Sequence, residues 1–265
     1  MVFKLIACEV FYREVCLCVA TSPHRVDLEF TEKNAHERSD FLRSLVQSKI
    51  DAAESGSVAY DAILLGFGLC GNGVLGAAAT KTPIVLPRAH DCCTIFLGSR
   101  QAFKEHFSDN PSLPFSSVGY MERGGTWIHD ASAIQVPGLD NNPRSTAYPP
   151  NGYSRTAAQK YDEYAALYGA ENAKYIMETL TASRQNNQIV FIDVPELSHL
   201  GFAEKAKAEA EASGREFVQL PGDMRLIRNL VHGNWDAEEF LVLKPGQKVA
   251  GVYDWDEIVR AEDNA

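Results

Sequence analysis

Residues 60–93 read YDAILLGFGLCGNGVLGAAATKTPIVLPRAHDCC, and the fold turns on how they are parsed. Tyr60–Leu65 reads as a strand, its apolar end of the kind that is buried, and it leads straight into a glycine-rich loop. Thr82–Pro87 is the next strand, bracketed by Pro83 and Pro87, with Arg88-Ala-His90-Asp91-Cys92 at its carboxyl end. Between them, the loop is expected to open a helix. Residues 62–80 carry no charge and are almost long enough to span a bilayer. Five glycines and Asn72 within that stretch argue instead for strand, loop and helix start.

Working outward, the alternation continues on both sides. Upstream, residues 2–7 and 26–30 read as strands, and Phe41, Leu42, Leu45, Val46 and Ile50 recur at helical spacing between His36 and Glu54. Ser39 or Asp40 is the expected N-cap of that helix, and Gly56 its end. Downstream, residues 93–107 read as one helix, while 108–154 are rich in proline and include PGLDNNPRSTAYPPNGYS at 137–154. Helices are expected at 155–168 and 171–183, a strand at 188–194, a helix at 199–213 stopped by Gly214, and a strand at 216–220. A helix after Asp223 and a final strand pair, 240–243 and 248–253, complete the chain. This pattern predicts an α/β protein of two Rossmann-like lobes with mainly parallel sheets and a crevice at the strand carboxyl ends. The expected division is 1–130 as the N-terminal lobe, 131–154 as a loop or lid, and 155–265 as the C-terminal lobe.

The 265 residues hold 35 Asp and Glu against 25 Lys and Arg, a net charge of −10. That balance argues against nucleic acid or an anionic membrane as a partner, both of which select clustered basic residues. The first twenty residues include Glu9, Arg13 and Glu14, which interrupt any signal-peptide core. A cytoplasmic protein with reduced cysteines is therefore expected, acting on or binding a small molecule.

Three features carry chemistry. Gly66-Phe-Gly68-Leu-Cys-Gly71 fits G-x-G-x-x-G and continues through Asn72 to Gly73, so its backbone amides suit an anion or a dinucleotide phosphate. Cys8, Cys70 and Cys92 each follow a strand, and in an open parallel sheet those ends share one ligand-binding edge. Three thiolates there suit Zn²⁺ with an open fourth position, or an iron–sulfur cluster with one non-cysteine site. His90 and Asp91 beside Cys92 are the candidate acid/base pair, with His90 also a possible fourth ligand or the base for a Cys70 or Cys92 nucleophile. Cys16, Cys18 and Cys93 read as packing residues. Ser99-Arg100, Asp193, Asp223, Tyr120 and Trp127 are weaker candidates, explained as well by capping and packing.

At ILLGFGLCGNG (63–73) and PRAHDCCTIFLGSR (87–100), the chain resembles a family defined only as a domain of unknown function, number sixteen thirty-eight. LIACEVFYRE near the start, YGAENAKYIMETL (168–180), FIDVPE (191–196) and PGDMRLIRNLVHGNWD (221–236) resemble further landmarks of that family. Cys8, Cys70, His90, Asp91 and Cys92 fall on its Cys and His-Asp-Cys positions. Its members often sit beside corrinoid-dependent methyltransferase systems, which implies methyl-group or one-carbon metabolism and a corrinoid or other methyl-carrier protein as partner. The expectation is thus a zinc-dependent transferase that activates a small substrate. The alternatives are a nucleotide-dependent oxidoreductase on the glycine loop and a non-catalytic metal- or cofactor-binding accessory protein.

Overall fold

The structure, a computed structural model, describes residues 1–33, 35, 38–110, 113–123, 187–252 and 254–264, together with Tyr161, Ala165, Gly169, Ala170 and Lys174. The segment 131–154 and Trp127 lie outside these residues, as do the helices expected at 155–168 and 171–183 apart from those isolated positions. The chain is α/β with mainly parallel strands, as the alternation predicts.

Two compact units are present. The first comprises Met1–Ser108, Ile192–His199 and Leu220–Ala265; the second comprises Asp109–Phe191 and Leu200–Gln219. The units therefore interleave along the sequence, whereas the expected lobes follow one another.

The first unit is built on a five-stranded sheet in the order β2-β1-β3-β4-β8. Its strands are β1 (Val2–Cys8), β2 (Arg25–Thr31), β3 (Ala62–Gly66), β4 (Ile84–Pro87) and β8 (Phe240–Leu243). The first four are parallel, and β8 joins β4 antiparallel with Ile84 opposite Leu243. Every residue of β3 and β4 is buried, which is why both read as unbroken apolar runs: a parallel strand covered on both faces has no wet side. One face packs on helix α2 (Ser39–Ser55), whose Leu42, Val46 and Ile50 meet Ile6, Ile63, Leu65 and Leu86. On the other, Leu5, Gly66 and Pro87 face Phe11 and Val15, the latter on helix α1 (Tyr12–Ala20), and Leu226, Ile227 and Leu230 of helix α7 (Arg225–His232). Ala7 and Gly66 are register partners across β1 and β3, and a Cβ on Gly66 would lie 2.6 Å from that of Ala7. A glycine is required for so close an approach.

Several boundaries differ from expectation. The N-cap of α2 is Arg38, whose guanidinium has no acceptor to offer the first amides and is paired instead with the Asp40 carboxylate at 2.8 Å. The helix expected over 93–107 is two helices, α3 (Cys92–Phe96) and α4 (Arg100–Phe107). Gly98 divides them at φ 75°, pressed against Asp223. The final strand pair is no hairpin: β8 pairs with β4, and β9 (Gln247–Gly251) pairs antiparallel with β10 (Val259–Asp263), a strand the sequence does not announce.

A further sheet, most of whose residues belong to the second unit, has the order β5 (Phe115–Ser117), β6 (Gln188–Asp193) and β7 (Glu216–Pro221). Helix α5 (Val118–Glu122) follows β5, and α6 (Phe202–Ala212) buries Ala206 and Ala210. Tyr120 is buried edge-on to Phe115, a packing role.

Candidate functional site

A sheet ordered 2-1-3-4 sends its connections from β1 to one side and from β2 back across to β3. The carboxyl ends of β1 and β3 therefore flank a topological switch point, where parallel sheets bind ligands. Cys8 is the last residue of β1, Cys70 lies in the loop after β3, and Cys92 opens α3 after β4. All six cysteines are thiols.

Backbone hydrogen bonds also link the segments that follow β3 and β4. The Leu69 amide donates to the Ala89 carbonyl at 2.8 Å and the Cys70 amide to the His90 carbonyl at 3.0 Å. Gly68 lies so close to the Asp91 backbone that a Cβ there would come within 2.6 Å of its Cα. The chain then turns left-handed through three successive residues, Cys70, Gly71 and Asn72, at φ 46°, 61° and 73°. The Gly73 amide closes this turn on the Leu69 carbonyl at 3.0 Å, and Gly73 itself sits where a Cβ would strike Leu42 at 2.4 Å. A cysteine in this conformation is strained by about 1–2 kcal/mol, and strain of that kind clusters at functional sites.

No helix follows. Residues 67–82 are turns and irregular backbone up to β4, so the glycine loop lacks the helix N-terminus on which a dinucleotide fingerprint depends. Gly66, Gly68 and Gly73 instead allow close packing; of the four candidate glycines only Gly71 has open space where a Cβ would stand, and the Asn72 carbonyl accepts from the Arg43 guanidinium at 3.2 Å and the Leu75 amide at 3.3 Å. The correction has a physical source: the left-handed run at 70–72 and Gly76 at φ 78° are incompatible with a right-handed helix.

Cys8 and Cys70 pack against the core cluster on the α2 face of the sheet. Burial pushes the Cys70 thiol well above its ordinary value, and the Asp91 carboxylate and the Cys8 sulfur beside it push the same way. The amides of Gly68 and Cys92 donate to the Cys70 sulfur and pull in the opposite direction. Burial raises Asp91 to about 6 against the amide bonds of Thr94 and Cys93, the Thr94 amide reaching Oδ1 at 3.2 Å. Asp91 thereby also caps α3. Cys93 and Cys18 are buried, the latter raised to about 12 mainly by burial, as packing thiols should be. Cys16 is half-buried on α1.

His90 is tied to Cys70 through its backbone, but its ring packs among aromatic residues, 5.1 Å from Trp255 and 5.6 Å from Phe103. Burial lowers its pKa, Asp254 opposes and Arg100 assists. Its Nε2 is buried without a hydrogen-bond partner. The histidine and the aspartate of the motif are thus engaged in different surroundings, which the bare sequence His-Asp does not reveal.

Sequence reasoning missed the C-terminal strap that covers His90. Asp254 accepts from the amides of Asp256, Glu257 and Ile258, and Ile258 is fully buried at φ 62°. Arg88 holds the strap by donating to the carbonyls of Glu257, at 3.0 Å, and Val259. Thr31, in register with Cys8, has a buried hydroxyl without a partner. Ser99 caps α4 and Arg100 donates to the Glu238 carbonyl, while Asp193 and Asp223 accept local bonds from Ser198 and from the Arg225 amide.

Among the described residues, no group of three or more His, Cys, Asp or Glu side chains stands ready to hold a metal ion. None of their helices is long and apolar enough to cross a membrane. Residues 30–231 match the model of a family described as protein of unknown function (DUF1638), a stretch that includes Cys70, His90, Asp91 and Cys92 but not Cys8. No curated protein and no solved structure matches the chain.

Proposed function

We propose, for a chain that belongs to the DUF1638 family, a metal-thiolate enzyme that activates a small substrate for group transfer, with Cys8, Cys70 and Cys92 as ligands. The observation that carries this reading is the placement of three thiols at the carboxyl ends of adjacent parallel strands, two of them flanking the switch point.

The donor chemistry fits a borderline-soft cation of the zinc type, since thiolates are its preferred ligands. The side chains are not gathered at ligand distance, so binding has to draw the thiols inward. When bound, such an ion deprotonates its thiol ligands and acts as a Lewis acid. The chain's own contributions are the amides of Gly68 and Cys92, which steady the Cys70 sulfur, and the exposed backbone of Gly71, available to an anionic portion of the substrate. Methyl or one-carbon transfer, with a corrinoid or other methyl-carrier protein as partner, is the version of this activity that the family resemblance suggests.

Elemental analysis of protein purified without added metal, comparing wild type with Cys70→Ala, tests the reading. About one equivalent of zinc in wild type and its loss in the variant is expected. Iron with a visible chromophore points to the cluster alternative. Wild type without stoichiometric metal, or a variant that keeps it, overturns the proposal.

A further inference from the structure

We infer that Cys70 and Cys92 form a redox-active dithiol, which closes to an intramolecular disulfide by exchange with a low-molecular-weight disulfide such as glutathione disulfide. This chemistry goes beyond the metal-thiolate reading and needs no metal. Its basis is how closely the segments after β3 and β4 are held. The Leu69 and Cys70 amides donate to the Ala89 and His90 carbonyls at 2.8 and 3.0 Å, and Gly68 leaves no room for a Cβ against the Asp91 backbone. These contacts carry the Cys70 side chain to the start of α3, where its sulfur accepts from the Cys92 amide. A sulfur within hydrogen-bond reach of a residue's amide lies beside that residue's Cβ, so rotation about χ1 of Cys92 is the movement that brings the second sulfur to it. Both thiols are half-buried, whereas Cys18 and Cys93 are buried. Cys8 is the rival partner, since its sulfur too lies near that of Cys70, but the amide contact favours Cys92.

The two thiols play different parts. Burial pushes the Cys70 thiol well above its ordinary value, which leaves little thiolate for a first attack. Cys92 therefore attacks first. Its thiolate bonds to one sulfur of the small disulfide, that S–S bond breaks, and the departing thiolate takes a proton from water. Cys92 then carries a mixed disulfide beside Cys70. Cys70 gives up its proton to solvent, its sulfur attacks that of Cys92, and the second small thiolate leaves and is protonated. The protein loses two electrons and two protons, and the small disulfide becomes two thiols. Being intramolecular, the second step tolerates the small thiolate fraction of Cys70, and the Gly68 and Cys92 amides favour the charge as it forms.

The test exposes reduced, metal-free protein to glutathione disulfide and maps the products by mass spectrometry, comparing wild type with Cys70→Gly, Cys92→Ser, Cys93→Ser and Cys8→Ser. Glycine suits the φ 46° backbone of position 70, so that variant keeps the loop. Expected in wild type is a bridge joining Cys70 to Cys92 that reopens in excess reduced glutathione, with the same product in Cys93→Ser and Cys8→Ser. Cys70→Gly should stop at a glutathione adduct on Cys92, the trapped first step, and Cys92→Ser should form no bridge to Cys70. Wild type in which Cys70 and Cys92 stay thiols, a bridge from Cys70 to Cys8 or Cys93, or a Cys92→Ser variant that still bridges Cys70 overturns the inference. Because the protein is metal-free, such a failure leaves the zinc analysis standing, and a negative zinc analysis leaves the dithiol standing.

Discussion

Cys70 sits at φ 46° ahead of two residues that tolerate left-handed backbone more easily, Gly71 and Asn72, and its thiol lies beside the Asp91 carboxylate and the Cys8 sulfur. A cysteine kept only for packing has no reason to bear both. The strain yields a test that is independent of any ligand: in metal-free protein, Cys70→Gly should exceed Cys70→Ala in stability by about 1 kcal/mol, because only glycine occupies that region freely. Urea denaturation reads the difference, and an alanine variant at least as stable as the glycine one removes the strain argument. Gly68→Ala is the complementary change. Its Cβ meets the backbone of Asp91 within 2.6 Å, so the two loops must separate, at a cost of about 1–3 kcal/mol. Metal retention by the variant should fall along with stability, and a variant matching wild type in both would show that this contact positions nothing. At this scale the sequence speaks for Cys8, Cys70 and Cys92 through their positions after strands. It is silent on His90 against Asp91, because neighbouring side chains diverge and what each meets is set by Phe103 and Trp255, residues remote in the chain.

The strands and helices show why some elements were legible and others were not. β3 and β4 announce themselves because both faces are buried, and α2 because one stripe is. The helix expected after the glycine loop is absent because local glycine chemistry, left-handed at 70–72 and 76, overrides the apolar composition of 74–79. β10 was missed since Val259–Asp263 has one buried residue and otherwise the look of a polar tail. Glu54, near the end of α2, joins these elements. Its carboxylate accepts from the amides of Thr80, Lys81 and Thr82 at 2.7–2.8 Å and from the Thr80 hydroxyl at 2.9 Å. Burial works against its charge, but those bonds outweigh it and hold the carboxyl below its ordinary value. A carboxyl lowered by folding contributes stability above its unfolded value, about 4.3, and loses it as pH falls through the folded one. Glu54→Gln should therefore be destabilised by about 2 kcal/mol at neutral pH, the gap to wild type closing as pH is lowered below 4.3. Urea midpoints across that range decide the matter; a gap that does not change with pH would show that charge is not what holds the 80–82 turn.

For the whole molecule, the consequential feature is that the first unit is completed by the chain's last thirty or so residues, here 236–265. β8 supplies its fifth strand, and the Val249 and Gly76 amides cross-bond β9 to the loop after β3, with Val249 donating to Ala77 at 3.0 Å and Gly76 to Val249 at 2.8 Å. Leu241, Leu243, Val249, Ile258 and Val259 are buried in the same core as α2 and β3. Sequence order suggested that these residues close a separate C-terminal lobe, because nothing local marks an antiparallel strand as belonging to a sheet that begins at Val2. Full burial of five such side chains is worth about 1.5–3 kcal/mol each, or roughly 7–15 kcal/mol in all, as much as the net stability of a typical domain. Removing residues 237–265 also strips Arg88 of its carbonyl partners at Ala237, Glu257 and Val259, leaving a cation beside the loop that carries His90, Asp91 and Cys92. The truncated chain should lose its cooperative thermal transition and its protected core amides, as read by circular dichroism and hydrogen exchange. Arg88→Ala in the full chain should keep the transition but lower its midpoint, since the apolar contacts of β8 and β9 survive it. A truncated chain that still melts cooperatively near the wild-type temperature would mean that Met1–Ser108 and the α7 segment suffice for the sheet, and that the C-terminal strands are an addition to the site's scaffold rather than part of it.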